Sequence, residues 1–354
     1  MKDPESILVI QTAFIGDAVL TLPLIQALRK RYPFSKIDIV VTPRSRELFA
    51  NHPDLREAIA FDKRGIDKGI GGLLRLARQL RLRRYDLAVI PHRSFRSAAL
   101  AILAGVPRRI GFNKSSGWLL MSSTVKYRSD LHEIDRNMSL LGPLGFPPGE
   151  RELPRLYPSE ADQKKVDKLL IELEVGNPDK LVAVAPGTIW NTKRWPKERF
   201  ASLAVNLDEA GVEVVLIGGV EDEGLCNEVR TLSQSSRVHD ASGALTLLQS
   251  AELLRRCKVL ICNDSAPLHL ATAVGTPVVA IFGATVPEFG FGPVGPKDVV
   301  VETKGLSCRP CSIHGGDTCP IRTFECMLNI SHDRVLRCAL EILSKGSAVR
   351  RSET

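Results

Sequence analysis

The sequence predicts an α/β protein of two doubly wound domains facing a central cleft, and three observations carry that prediction. Short runs rich in Val and Ile recur, each followed by a loop and a segment with helical spacing, which is the grammar of βα units on a parallel sheet. The runs fall into two similar sets. Each set opens on a strand, a turn containing glycine and a helix (ILVIQTAFIGD and LVAVAPG), about half a chain apart.

In chain order the first set of strands is expected at 7–11, 37–41, 58–61, 86–90 and 108–111, the second at 181–185, 213–217, 259–263, 277–282 and 299–301. Between them, Pro154, Pro158 and Pro178 punctuate a charged stretch whose centre, 159–174, reads as a helix started by Ser159 and Asp162. The expected organisation is an N-terminal domain over 1–155, a linker over 156–180, a C-terminal domain over 181–330, and a helix and tail over 331–354. Open α/β sheets bind ligands beyond the carboxyl ends of their strands, so the site is to be sought in loops that follow strands.

Composition narrows the partners. With 44% hydrophobic and 25% charged residues the chain is an ordinary globular protein, and disorder is excluded as a whole-chain description. A net charge of +8 suits nucleic acid, anionic lipid or phosphorylated substrates. The aromatics are few and not interleaved with the cations, which speaks against nucleic acid. The first apolar stretch is interrupted by Gln11, Asp17 and Pro23, and no segment has the roughly 18 uninterrupted apolar residues of a spanning helix. The chain is therefore expected to be cytoplasmic. Its eight cysteines read as reduced thiols or metal ligands rather than a disulfide framework.

Four strand-end segments can carry chemistry. Thr12-Ala13-Phe14-Ile15-Gly16-Asp17 places a carboxylate near a helix start, where it serves either as a cap or as a general base. The stretch 185–196 (APGTIWNTKRWP) sets Thr188, Lys193 and Arg194 in one loop, a composition suited to phosphate, although it is not the GxxxxGK[ST] loop. Asn263-Asp264-Ser265-Ala266-Pro267 precedes an alanine-rich helix whose first-turn N–H groups can take a diphosphate; the plainer reading is a capped helix, with His269 a core residue. Gly218-Gly219-Val220-Glu221-Asp222-Glu223 offers carboxylates to ribose hydroxyls or simply turns into a helix.

Together these segments resemble the ADP-heptose:LPS heptosyltransferases of glycosyltransferase family 9. The shared patterns are GD-x-x-x-T-x-P within 15–23, PG followed by KRWP, NDS-x-x-x-H, and PVVA-x-FG, in family order over essentially the whole chain. The succession Arg93-Ser94-Phe95-Arg96-Ser97-Ala98, then Ala104-Gly105-Val106-Pro107-x-Arg109-x-Gly111, is most similar to the type II branch.

The resemblance implies a GT-B fold of two Rossmann-like domains and an inverting, peripheral-membrane glycosyltransferase of lipopolysaccharide core biosynthesis. It implies Asp17 as catalytic base and donor contacts from Thr188, Lys193, Arg194, Glu223, Asp264, Ser265 and Ala266, with Glu221 or Asp222 as alternatives to Glu223. The ADP-heptose donor would lie on the C-terminal domain and the acidic inner-core glycolipid acceptor on the N-terminal one, near Arg93, Arg96, Arg109 and Lys114. No cofactor is required where cations balance the leaving ADP. Many members read NDSGLMH; here Ala266 and Pro267 replace the glycine and leucine, which alters the phosphate contacts.

Two features stand apart. Leu73, Leu76, Ala77 and Leu80 form one helical face, with Arg75, Arg78, Arg81, Arg83 and Arg84 around it, either an ordinary surface helix or a rest on anionic membrane at the inner face of the cytoplasmic membrane. Cys308-x2-Cys311-x7-Cys319-x6-Cys326 is read as structural, with zinc or an iron–sulfur cluster as a candidate occupant.

Overall fold

Runs of β-branched residues with no polar alternation need both faces covered, and the chain meets that need twice. The computed structural model describes residues 3–146 and 151–351, with side chains through residue 344. Residues 1–2 and 147–150 of the expected first domain, and 352–354 of the expected tail, lie outside the described residues. The chain divides into two compact units, Met1–Tyr157 and Pro158–Thr354.

The first unit is built on a wholly parallel sheet of β1 (Ser6–Ile10), β2 (Lys36–Val41), β3 (Glu57–Ala60), β4 (Leu87–Ile90), β5 (Arg108–Phe112) and β6 (Ser123–Val125), in the order β3-β2-β1-β4-β5-β6. The second repeats it with β7 (Leu181–Ala185), β8 (Glu213–Leu216), β9 (Val238–Asp240), β10 (Val259–Asn263), β11 (Val278–Phe282) and β12 (Val299–Glu302), in the order β12-β11-β10-β7-β8-β9. Read from the opposite edge this is the same winding. The strand order reverses at β1/β4 in one unit and β7/β10 in the other, and those junctions are where such sheets hold ligands.

The apolar strands fall where their composition places them. The three-residue edge strands β6 (STV) and β9 (VHD) escape the sequence reading because neither has an apolar run. β9 is polar for a reason: buried His239 lies 2.8 Å from buried Glu213 of β8, so each satisfies the other between adjacent strands.

The segment expected as a linker carries the helix Glu160–Glu172, opened by a capping box. Asp162 N–H donates to Ser159 Oγ, and Ser159 N–H donates to Asp162 Oδ2 at 2.7 Å. Val166, Leu169 and Leu170 are buried, and the helix packs on Leu247–Arg256, so it belongs to the second unit's fabric.

The arginine-rich helix Gly69–Arg81 turns Leu73, Leu76, Ala77 and Leu80 into the first unit's core against Leu8, Ile10, Phe61 and Tyr85. That is the packing of an ordinary amphipathic surface helix, with Arg75, Arg78, Gln79 and Arg81 exposed on its outer face and Ile70 and Leu82 exposed at its ends. No helix among the described residues is long and apolar enough to cross a membrane.

A further buried strand residue breaks the apolar rule. Asp38 of β2 is fully buried and accepts from Arg56 Nε (2.9 Å), Arg83 Nη1 (3.0 Å) and the Tyr85 hydroxyl (2.5 Å). Burial alone would raise its carboxyl, but the Arg56, Tyr85 and Arg83 hydrogen bonds outweigh burial and hold it below the usual carboxylate range. The ionised form is thus the one the fold selects, so this stability is present at neutral pH and lost as pH falls through the folded-state value. Asp38→Ala, which leaves two cations and a phenol facing a void, should lower stability by at least about 2 kcal/mol in urea titrations; a loss below about 0.5 kcal/mol would show that the network carries no weight.

Candidate functional site

In the first unit the chain leaves β1 through Gln11–Phe14 and enters the short helix Ile15–Val19, whose third residue is Asp17. The capping reading of this carboxylate is met. Phe14 N–H donates to Asp17 Oδ2 at 3.2 Å, which caps the helix. Burial nevertheless raises its pKa to about 7, and the nearby Glu133 carboxylate adds to the rise, while the backbone N–H groups of Phe14 and Asp17 and the more distant Arg136 oppose it. A carboxylate poised near neutrality suits a general base.

The surroundings of Asp17 come from a helix that sequence reasoning passed over, Glu133–Ser139. Glu133 and Arg136 pair at 2.7 Å with both side chains buried. Their helix is tied to the Asp17 segment by Asn137 Nδ2, which donates to Leu20 O at 3.2 Å. Burial raises the Glu133 carboxyl despite Arg136 and Arg93. Arg136 and Arg93 both lie over the ring of Tyr127, at 5.3 and 4.2 Å from its centroid. The only trace of this in the sequence is an acid and a base three residues apart, common on any helix surface.

A second missed group fills the β1/β4 junction. His92 Nδ1 is 2.9 Å from both Thr12 Oγ1 and Ser97 Oγ, and Lys63 Nζ donates to Thr12 O at 2.7 Å and Thr12 Oγ1 at 3.1 Å. Burial, with Lys63 and Arg93 nearby, lowers His92 to about 4, so it is neutral at physiological pH. Lys63 is also lowered, by burial and by the Arg96 and Arg64 charges, and is ready to gain from an anion.

Of the expected acceptor contacts, Arg93 and Arg96 follow β4 and are exposed, and Lys114 is exposed after β5. Arg109 departs from the expectation. Its Nε donates to Leu120 O (2.7 Å) and its Nη1 to Val106 O (2.5 Å) and Pro107 O (2.9 Å), so that side of the guanidinium buttresses β5.

In the second unit the loop after β7 contains a single 3-10 turn, Asn191–Lys193, before the helix Lys197–Glu209. Its anchor is Trp195, fully buried, edge-on to Phe200 with ring centroids 4.8 Å apart and donating from Nε1 to Ile330 O at 3.0 Å. Asn263, at the end of β10, spans the switch point by accepting from Trp195 N–H (3.0 Å) and donating to Pro186 O (2.8 Å). Lys193 is thereby delivered to Asp264 at 2.7 Å, with both side chains largely buried. Thr285, from the loop after β11, donates to the same Asp264 oxygen at 2.7 Å.

Arg194 donates to the carbonyl of buried Thr188 at 2.8 Å, and its buried Nε meets no partner among the described residues. Ser265 caps the helix Ala266–Val274 in extended conformation without closing its own side chain onto it, so that helix start remains open despite Pro267. His269 is a core residue of the same helix. Glu223 and Asp222 differ in place. Asp222 accepts from Gly219 N–H at 3.0 Å and leans on Gly187, where a Cβ would stand 2.1 Å from its Oδ1. The Glu223 carboxylate lies over Gly243, whose φ of +68° and bare Cα make room for it.

The four C-terminal cysteines come near one another, Cys308 and Cys319 adding to the rise that burial gives the Cys311 thiol, and all three other thiols adding to the rise that burial gives Cys326. All are free thiols, and among the described residues no group of three or more His, Cys, Asp or Glu side chains is disposed to hold a metal ion. Cys326 is turned into the hydrophobic core beside Met327, while Cys308, Cys311 and Cys319 stay on the outer loop. The zinc or iron–sulfur expectation thus finds no support.

The chain is similar to known proteins over most of its length. Over 292 residues the chain is 29% identical to lipopolysaccharide heptosyltransferase 2 of Salmonella typhimurium, covering 80% of this chain and 84% of that one. Its fold matches a family 9 glycosyltransferase from Veillonella parvula (TM-score 0.87, 25% identity, 96% and 98% of the two chains). It also matches E. coli ADP-heptose LPS heptosyltransferase II (TM-score 0.80, 25% identity, 97% and 99%). Residues 73–317 match glycosyltransferase family 9 (heptosyltransferase), and the chain, a two-unit α/β protein of GT-B type, belongs to that family of glycosyltransferases.

Proposed function

We propose that the chain is an inverting heptosyltransferase of type II, moving L-glycero-D-manno-heptose from ADP-heptose to a heptose of the lipopolysaccharide inner core. The observation that carries it is Asp17, a desolvated carboxylate near neutrality at the carboxyl end of β1. The names of the Salmonella and E. coli relatives supply the sugar and the acceptor.

In this reading the first unit serves the acceptor. Asp17 takes the proton of the attacking heptose hydroxyl as the new bond to the anomeric carbon forms, and Arg93, Arg96, Lys114 and the missed Lys63 face the acceptor's acidic groups. The second unit serves the donor. As the bond between the anomeric carbon and the phosphate oxygen breaks, Lys193, Arg194 and the helix start at Ser265 and Ala266 take up the charge growing on ADP. Thr188 shapes that loop and Glu223 reads the ribose. No cofactor or nucleic acid enters the reading. A glycolipid acceptor puts the work at the cytoplasmic face of the inner membrane, in peripheral contact with it.

Transfer from ADP-heptose to a heptosylated inner-core acceptor, read by mass spectrometry, tests the reading. Asp17→Asn should lower the rate by about 10²–10⁴-fold while ADP binding, measured by calorimetry, is unchanged; full activity in this variant would remove Asp17 from the chemistry. Because a general base must be ionised, kcat/KM for the wild type should fall as pH drops below about 7 and level off above it. A flat profile from about pH 5.5 to 8.5 would contradict the assignment. Lys193→Ala removes a charge aimed at the leaving group and should lower kcat by about 10²–10³-fold with weakened ADP binding; an unchanged kcat would place the leaving-group charge elsewhere.

A further inference from the structure

The segment 308–317, which carries two of the four clustered cysteines, is left without a task by the transfer chemistry. None of the residues 307–323 belongs to the second unit's hydrophobic core, although Leu306 and Phe324 pack against it on either side. What the segment does touch is the pair of loops that hold Lys193 and Asp264.

At one end it is paired to the loop after β7. Thr192 N–H donates to Gly316 O at 2.9 Å, Gly316 N–H donates to Thr192 Oγ1 at 2.8 Å, and Asn191 Nδ2 donates to Asp317 O at 3.2 Å. Gly315 beside them has φ +86°, and a Cβ there would stand 3.0 Å from both Cγ and Cδ of Lys193 and 3.1 Å from Thr192 Oγ1. The stem of Lys193 therefore lies on the bare Cα of Gly315. Ser312 closes the turn, its hydroxyl donating to Gly315 O and accepting from Gly315 N–H, both at 2.9 Å.

At the other end the segment grips the loop after β11. Cys311 N–H donates to Ala284 O at 2.9 Å. The buried guanidinium of Arg309 donates to the carbonyls of Gly283 (2.6 Å), Thr285 (2.8 Å) and Thr303 (3.1 Å), and it pairs with Glu302 at 2.6 Å. Thr285 in turn holds Asp264, the partner of Lys193.

We propose that residues 308–317 form a strap that positions Lys193 and Asp264 for the donor's diphosphate, with Gly315 and Arg309 as its positioning residues. The inference rests on the donor-site reading above. Two fixed ends, one on the loop of Lys193 and one on the loop of Thr285 that holds Asp264, give the strap leverage over that pair. A side chain at Gly315 has to push Lys193 aside and also occupy a left-handed conformation, so the disturbance lands on the cation that meets phosphate.

The test measures ADP binding by calorimetry and the separate KM values for donor and acceptor, on the full chain, for wild type, Gly315→Ala and Thr192→Val. Thermal melting of each variant is followed in parallel. Both variants should raise the Kd for ADP and the donor KM by about tenfold while the acceptor KM stays within about twofold. A purely structural role would lower the melting temperature and leave that donor-against-acceptor split absent. Folded variants whose ADP affinity stays within about twofold of wild type overturn the strap. Should Gly315→Ala not fold, Thr192→Val decides alone, since it removes one hydroxyl contact to the strap without adding bulk. Wild type that fails to bind ADP overturns the donor-site reading itself, an outcome distinct from variants that bind as well as wild type does.

Discussion

A wholly parallel sheet has no solvated face, and this constraint governs where the protein can keep its chemistry. Both sheets are filled by Val, Ile, Leu and Ala, with the central strands fully buried. Polar function is thereby driven to strand ends, and the reversal of strand order opens room at two of them, β1/β4 and β7/β10. Asp17 and His92 stand at the first junction, Lys193 and Asp264 at the second.

Where a buried carboxylate enters a sheet, it is paired. Asp38 gathers two guanidinium groups and a phenol, and Glu213 meets His239 across neighbouring strands. These satisfied groups set a standard for judging the others. Asp17 is different: burial and the nearby Glu133 carboxylate raise its proton affinity against the backbone N–H groups of Phe14 and Asp17. The two carboxyls thus move in opposite directions, Asp38 held ionised by its guanidinium partners and Asp17 raised toward neutrality by burial.

Much of this was legible in the sequence because it depends on local pattern. The ten apolar runs gave ten strands within a residue or so at their ends, and Ser159 with Asp162 gave a helix cap. The two edge strands were not legible, since three residues carry no periodicity and the His239–Glu213 pair joins distant parts of the chain. The same limit applies to the site. Asp17 and Lys193 stand in motifs, whereas Glu133, Arg136, Lys63 and His92 acquire their significance only when other strands bring partners to them. Arg109 shows the converse, a cation in a promising position with Nε and Nη1 tied to carbonyls of its own neighbourhood.

Two units with one winding have thus been given opposite electrostatic tasks by a few side chains. In the first, desolvation acts on a carboxylate with only weak compensation, and His92 after β4 is kept neutral by burial and nearby cations. In the second, a largely buried lysine is matched at once by Asp264, which is itself held by Thr285, so the positive charge is ordered before any ligand arrives. Charge that is already oriented needs little reorganisation when a leaving group develops its own, which is the physical basis of electrostatic catalysis. A base, by contrast, has to be able to change its protonation state, and a fully compensated carboxylate such as Asp38 is held in one form. The difference between a committed charge and a labile one therefore separates the two sites, and it is set by which neighbours each junction admits.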